Sequence, residues 1–144
     1  MSVFVQCILL FGTAAVELWA AIPMGFAFQL NPVLIFAVSS LGAFSGSLAV
    51  LLLGAKIRDW LLKKHRPMEN KDSKINRIWQ KYGVIGLGLS APLVTGALIA
   101  TAIGLVLQAD PKKLLLFITI GILCWTLIFT LIGYFGIEAF KMII

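Results

Sequence analysis

The chain has 144 residues, of which 60% are hydrophobic and 12% charged, and its mean hydropathy is +1.02. Average soluble domains carry about 25% charged residues, so this composition excludes an ordinary soluble domain and predicts one all-α integral membrane domain over residues 1–144. The net charge of +6 is concentrated in residues 56–81, where nine Lys or Arg accompany three acids.

The first apolar segment, Ser2–Leu30, contains one acidic or basic side chain, that of Glu17. A charge at membrane depth costs about 2.5 kcal/mol or more unless it is paired, protonated or facing water. Pro23 and Gly25 follow and both weaken a helix, so we expect an interruption beside the acid. The segment is either one tilted, kinked span or a re-entrant hairpin with its tip near Pro23. A lone carboxyl beside broken backbone in a membrane is typical of a transport site.

Asn31-Pro32 predicts the start of a new helix, because Asn favours the cap position and Pro the first helical position. Residues Val33–Ala55 follow without a charge and predict a transmembrane span.

The basic segment 56–81 comes next, and a short basic stretch between apolar segments is the positive-inside signal. We therefore predict a cytoplasmic loop in a multi-pass protein of the cytoplasmic (inner) membrane. The apolar residues of this segment recur at helical spacing, so it is expected to be an amphipathic linker with Trp60, Trp79 and Tyr82 at the membrane interface. The expected partners of its positive charge are membrane lipids and not nucleic acid, because the charge is confined to a membrane-flanking segment.

The second apolar segment, Tyr82–Ala109, has no charge and is interrupted between Ser90 and Gly96. Pro92 breaks the helical pattern there. The hydroxyl groups of Ser90 and Thr95 either line a polar pocket or hydrogen-bond to nearby carbonyl groups. This segment is therefore the counterpart of the first broken segment.

The second half ends as the first does, because Asp110-Pro111 restarts a helix and Leu114–Ile137 predicts a second transmembrane span. The same spacing of proline and glycine recurs in Pro32, Gly42 and Gly54 and in Pro111, Gly121 and Gly133. We predict an internal repeat, with one unit at residues 3–55, the linker at 56–81 and the second unit at 82–138.

The repeat permits two topologies. If the broken segments are re-entrant, the halves are inverted, both termini are outside and the two hairpin tips meet in mid-membrane. If the broken segments span the membrane, there are four spans, both termini are cytoplasmic and the repeats are parallel.

Several stretches resemble a known family: Glu17-Leu18-Trp19-Ala20-Ala21-Ile22-Pro23-Met24-Gly25, Asn31-Pro32, Ser90-Ala91-Pro92, Gly96-Ala97-Leu98-Ile99-Ala100, Asp110-Pro111-Lys112-Lys113, Gly121-Ile122-Leu123-Cys124-Trp125 and Gly133-Tyr134-Phe135-Gly136. Together they resemble the DedA-like superfamily of membrane proteins and, within it, the branch of small multidrug export proteins. The resemblance covers nearly the whole chain. It implies two facing re-entrant hairpins, each followed by a transmembrane helix, which is the inverted topology.

The resemblance also implies an acidic residue in the first hairpin, which falls on Glu17. DedA-like proteins of the lipid-carrier flippase type carry arginines beside the proline of the second hairpin. This chain has no Arg between Tyr82 and Ala109. That departure disfavours a polyprenyl-phosphate substrate.

The leading functional hypothesis is a secondary transporter or exporter of small or amphiphilic molecules, coupled to protons or cations through Glu17. The predicted site consists of Glu17, Pro23, Gly25, Ser90, Pro92, Thr95 and Gly96. The alternatives are a lipid flippase or scramblase and a non-transporting membrane assembly protein. We predict no enzyme, cofactor or metal site, because the sequence shows no nucleophile–base pair or metal-ligand cluster. Two hairpins and two spans enclose little space, so we expect a homodimer.

Overall fold

The computed structural model describes residues 2–64, 83–94 and 96–143. Within these ranges the chain forms helices and no strands, as the composition predicted. The helices are α1 (Val3–Val16), α2 (Leu18–Ala27), α3 (Pro32–Lys64), α4 (Val84–Val94), α5 (Ala97–Val106) and α6 (Pro111–Ile143).

Two helices are long and apolar enough to cross a membrane, α3 through its stretch Pro32–Gly54 and α6 through Pro111–Ile143. Each helix has 33 residues, which corresponds to about 50 Å and exceeds a hydrocarbon core of about 30 Å. The predicted span ended at Ala55, whereas α3 continues to Lys64 and so includes the first residues of the predicted linker 56–81. The reason is local, because Lys, Arg and Leu are good helix formers and no Gly or Pro occurs between Gly54 and Pro67.

Two of the three residues predicted to lie at the membrane interface are outside the described residues. Trp60 lies in the continuation of α3, whereas Trp79 and Tyr82 lie outside the described residues. Their role at the membrane interface stays a prediction.

Both long helices begin with the predicted cap. The side-chain oxygen Oδ1 of Asn31 accepts a hydrogen bond of 2.9 Å from the backbone N–H of Val33. Asp110 Oδ1 accepts one of 3.0 Å from the backbone N–H of Lys112. Each cap satisfies a backbone donor that has no partner inside the helix, so the predicted helix starts are confirmed.

Two of the three helices in each half have a counterpart of equal length in the other half, whereas α1 has 14 residues and α4 has 11. α2 and α5 have 10 residues each, and α3 and α6 have 33 residues each. These two pairs also start 79 positions apart, at 18 and 97 and at 32 and 111. The turns before the long helices match as well, since Gln29 and Gln108 have φ angles of 56° and 58°. Both residues have the left-handed backbone conformation in which many helices end.

α3 and α6 pack against each other in opposite directions. At one end, Phe26 of α2 lies against Gly133 of α6, while Gly25 lies against Ile35 of α3. The first turns of α3 are therefore level with the residues around Gly133. At the other end, the corresponding contacts are Leu105 with Gly54 and Gly104 with Leu114. Each contact at one end therefore has a counterpart 79 positions away at the other end, and α3 and α6 run antiparallel.

α1 runs beside α3 in the same direction. A Cβ atom at Gly42 would collide with the carbonyl oxygen of Phe11, and one at Gly46 with that of Ala15. Glycine at these two positions therefore permits backbone contact between the helices, as small residues do in membrane helix pairs. α4 and α6 approach each other similarly where Gly88 meets Gly121.

The chain reverses between α1 and α2 at Glu17, whose backbone is extended with φ −137° and ψ 103°. The hydroxyl of Thr13 lies 3.8 Å from Sδ of Met24, so α1 and α2 lie side by side as a helical hairpin. Gly25 returns to the first turns of α3 beside Ile35. The hairpin therefore starts and ends level with the beginning of α3.

The position of this turn differs from the expectation that the tip lies near Pro23. Pro23 is inside α2, and the break occurs at Glu17. A proline removes one hydrogen bond, here the bond to the carbonyl of Trp19, and a packed helix survives that loss. Pro92 likewise lies inside α4, which ends at Val94, and the next helix, α5, begins at Ala97.

Candidate functional site

The two breaks of the chain meet at Glu17 and Gly96. Gly96 begins α5 with φ 76° and ψ 149°, a conformation that glycine adopts almost exclusively. A Cβ atom at this position would lie 3.2 Å from Oε2 of Glu17 and 3.3 Å from the carbonyl oxygen of Val16. The absence of a side chain at Gly96 therefore lets the acid lie directly against the other half. The two residues are 79 positions apart, which is also the separation of the starts of α2 and α5 and of α3 and α6.

Glu17 is half-buried, and its side chain does not cap α2. The sequence contains no Lys, Arg or His in residues 2–55 or 82–111, which include all of the four short helices. A charged carboxyl in such surroundings is costly unless a proton, water or a cation reaches it. The carboxyl is therefore available to a proton or to a positively charged ligand. Among the described residues, no group of three or more His, Cys, Asp and Glu could hold a metal ion.

The other predicted site residues have separate surroundings. Gly25 packs against Ile35, where a Cβ atom would lie 2.8 Å from Cγ1. The Ser90 hydroxyl donates a hydrogen bond of 2.6 Å to the carbonyl of Gly86 in its own helix. Pro92 lies in α4, close before the second break, and Thr95 lies outside the described residues. The structure thus brings together Glu17 and Gly96 from the predicted set and leaves Gly25 and Ser90 in other contacts.

A groove between α2 and α6 begins two residues after Glu17. Its volume is about 720 Å³. The lining residues are Trp19, Ile22, Pro23, Phe26, Phe129, Ile132, Gly133, Gly136 and Ile137. None of these nine residues is charged, and Trp19 and Ile132 are 57% and 62% exposed. We refer to this feature as the α2–α6 groove.

One wall of the groove is in contact with α4 through Trp125. The Trp125 indole N–H donates a hydrogen bond of 2.7 Å to the carbonyl of Leu89 in α4. The Trp125 ring in turn packs on that of Phe129, with centroids 5.6 Å apart. Through these contacts α4 helps to position an aromatic wall of the groove.

A family model described as "Putative small multi-drug export protein" matches residues 17–128. The chain belongs to this family. The match begins at Glu17 and extends into α6, so it includes the hairpin junction and most of the described fold. The predicted family is confirmed, and with the two long apolar helices it identifies a membrane protein. The DedA-like relationship stays a prediction. No curated protein and no solved structure matches the chain.

The groove of this small multi-drug export protein was not predicted from its sequence. Phe26 and Phe129, which line it, give no local signal in the sequence. The spacing of 79 residues offered one signal. It relates position 26 to position 105 and position 54 to position 133, and the structure pairs 26 with 133 and 105 with 54. A large side chain opposite a glycine in both halves indicates contact between short and long helices.

Three buried hydroxyl groups have no hydrogen-bond partner among the described residues, those of Ser39, Ser40 and Thr130. Their side chains are 0%, 8% and 5% exposed, respectively. Leaving a buried hydroxyl unpaired costs about 1–3 kcal/mol. The two long helices, α3 and α6, therefore carry buried hydroxyl groups that can still form hydrogen bonds.

Proposed function

We propose that this protein is a secondary transporter that exports small or amphiphilic molecules across the cytoplasmic membrane, with Glu17 as the coupling residue. The observation that carries the proposal is the position of Glu17, at the tip of one helical hairpin and against the break of the other. Membrane transporters commonly place their sites where broken helices of two repeats meet. The family description supports export as the activity.

We propose the inverted, re-entrant topology for this transporter. Its support is that α3 and α6 are antiparallel and that the α1–α2 hairpin returns to the level at which it starts. If α3 and α6 both cross the membrane, helices that run in opposite directions begin on opposite sides. The two hairpins then enter from opposite sides, and their tips meet at Glu17 and Gly96.

The charge distribution supports the orientation of this arrangement. Lys112 and Lys113 precede Leu114, which is level with Gly54, so these lysines are on the same side as Lys56. All of them are then on the side of the basic segment 56–81, which the positive-inside rule assigns to the cytoplasm. Both chain termini are on the opposite side.

In this mechanism the Glu17 carboxyl binds either a proton or a cationic substrate. Release of the proton leaves a carboxylate that attracts the cation, and protonation removes that attraction. Because Glu17 touches the break of the second half, the change in its charge acts at the contact between the two repeats. Exchange of proton for cation is thereby linked to movement of one hairpin against the other.

The test is transport in proteoliposomes by Glu17→Gln, with Glu138→Gln as the matched control. Glu138 is exposed on the final turns of α6, where Tyr134 contacts it. We expect Glu17→Gln to abolish transport driven by a pH gradient, while Glu138→Gln retains it. Full pH-driven transport by a folded Glu17→Gln variant would contradict the proposal.

The same variant separates the alternatives. A passive lipid scramblase keeps most of its lipid movement without the carboxyl, and an assembly protein loses its oligomer. We expect the transporter to be a homodimer, because two hairpins and two spans enclose little space.

A further inference from the structure

We propose that α2 and α5 are the moving parts of this protein and that they swing away from the long helices alternately. In one state α2 stands away from α6, and in the other state α5 stands away from α3. The inference rests on the proposed export function and assigns the movement that opens each half. In the state that the structure shows, α2 is the open helix and α5 the closed one.

The first helix of each hairpin is fixed to its long helix by backbone contacts. Gly46 of α3 lies against a carbonyl oxygen of α1, and Gly121 of α6 lies against that of Gly88 in α4. The Trp125 indole N–H adds a hydrogen bond of 2.7 Å to the carbonyl of Leu89 in α4. Helices whose backbones touch lose this close packing when they separate. We therefore expect α1 and α4 to stay in place on α3 and α6.

The second helix of each hairpin contacts the long helices through side chains. The Phe26 ring of α2 lies against Gly133 of α6, and the Leu105 side chain of α5 lies against Gly54 of α3. A side chain can move to another staggered rotamer while the helices shift against each other. These contacts therefore permit movement of α2 and α5 that backbone contacts would prevent.

Non-helical backbone bounds each of these short helices at both ends. α2 is preceded by Glu17, with φ −137° and ψ 103°, and followed by Gln29, with φ 56°. α5 is preceded by Gly96, with φ 76°, and followed by Gln108, with φ 58°. Hinges are commonly a few residues at the ends of elements that absorb changes in φ and ψ. Each 10-residue helix can therefore move as a rigid unit between two hinges.

The two short helices are packed unequally. On the face of α2 that lines the α2–α6 groove, Trp19 is 57% exposed, Pro23 is exposed and Phe26 is half-buried. The counterparts 79 positions later are, in order, Leu98, Ala102 and Leu105. Each counterpart is more buried, since the first two are half-buried and the third is 6% exposed. The face that is open in α2 is therefore closed in α5.

The long helices do not share this inequality. Ile132 of α6 lines the groove and is 62% exposed, and its counterpart Leu53 of α3 is 64% exposed. The difference between the halves is therefore in the short helices. Two units with matching helix starts show two arrangements in one molecule, so we infer that each unit can adopt the arrangement of the other.

The contact between Glu17 and Gly96 makes the two movements alternate. These residues are the hinges at which α2 and α5 begin, and a Cβ atom at Gly96 would be 3.2 Å from Oε2 of Glu17. A swing of α2 towards α6 therefore displaces the start of α5. In the proposed inverted topology α2 and α5 enter from opposite sides of the membrane, so alternate opening gives access from one side at a time.

The test measures distances between pairs of spin labels in the full-length protein in lipid nanodiscs, in a background without the two native cysteines. One pair, Trp19→Cys with Ile132→Cys, spans the α2–α6 groove. The other pair, Leu98→Cys with Leu53→Cys, spans the corresponding positions of α5 and α3. Trp19, Ile132 and Leu53 are exposed, so labels there should leave the fold intact.

Gly136→Leu acts as a wedge that does not depend on Glu17. Gly136 lines the groove, and a Cβ atom there meets no other atom within 4 Å. Gly12→Leu is the matched control, because Gly12 has equally open surroundings and does not line the groove. A third label pair, Phe4→Cys with Val33→Cys, joins α1 to α3 and should keep one distance in every variant.

We expect each of the two test pairs to show a short and a long distance that differ by about 5 Å or more, which is half the diameter of a helix. Gly136→Leu should raise the long population across α2 and α6 and the short population across α5 and α3, whereas Gly12→Leu should change neither. A single distance in both pairs would overturn the inference. So would a response to the wedge in the first pair alone, or in the same direction in both.

The inference and the proposed coupling role fail separately. Glu17→Gln mimics the protonated carboxyl and is expected to shift the two populations in opposite directions. If the wedge has its expected effect while Glu17→Gln changes neither the distances nor pH-driven transport, alternate opening stands and the coupling role is wrong. If the wedge fails while Glu17→Gln loses pH-driven transport, the coupling role stands and alternate opening is wrong.

Discussion

Glu17 lies against Gly96 so closely that a Cβ atom at Gly96 would be 3.2 Å from the acid's Oε2 atom. Each residue directly precedes a short helix of its own half, Glu17 before α2 and Gly96 before α5. The contact joins two points that are far apart in the chain and makes the acid part of the interface between the halves. The proposed coupling role depends on this interface.

Gly96→Ala is expected to destabilise the protein and to impair transport. The backbone at Gly96 has φ 76° and ψ 149°, where a side chain costs on the order of 1–3 kcal/mol, and the added Cβ would press on Glu17. The matched control is Gly86→Ala, since Gly86 lies in α4 with open space around it. Thermal unfolding in detergent should show a lower midpoint for Gly96→Ala and an unchanged or higher one for Gly86→Ala.

Gly42→Ala is expected to loosen the packing of α1 on α3. Its Cβ would meet the carbonyl oxygen of Phe11, so the backbones must separate, at a cost of about 1–3 kcal/mol. Gly12→Ala on the exposed side of α1 is the control, and it should be neutral or slightly stabilising. Equal unfolding midpoints of the two variants would show that α1 and α3 are not in backbone contact.

Gly133→Ala is expected to destabilise the α2–α6 contact, and Phe26→Leu is expected to relieve part of that loss. The added Cβ would collide with the Phe26 ring, and the smaller Leu side chain leaves room for it. A double-mutant cycle on unfolding free energies should therefore give a favourable coupling of about 0.5 kcal/mol or more. Additive effects would contradict the contact.

Cysteine labelling in a background without Cys7 and Cys124 is expected to place both chain ends on the same side of the membrane. Ser2→Cys and Met142→Cys should react with an impermeant thiol reagent from outside. Lys112→Cys should react from the cytoplasmic side. These outcomes follow from the antiparallel arrangement of α3 and α6 together with the positive-inside rule. Labelling of the two ends from opposite sides, or of both from the cytoplasm, would exclude the inverted topology.

The sequence by itself determined the class of the protein, its helix starts and its candidate acid. The apolar composition excluded a soluble domain, and Asn31 and Asp110 cap their helices as their position before proline predicted. Glu17 was identifiable because a charged carboxyl group in an apolar membrane segment has a high free energy. These features depend on composition or on neighbours within one helical turn, so local sequence is sufficient to find them.

The tertiary structure alone decided the position of the first break, the partner of Glu17 and the location of the groove. Pro23 is a strong local breaker, yet it lies inside α2 because packing outweighs the loss of one hydrogen bond. Gly96 faces Glu17, and Phe26 faces Gly133, because α3 and α6 pack in opposite directions and bring the halves together. Contacts between residues about 80 to 110 positions apart depend on how whole helices pack, and no signal within one segment contains that information.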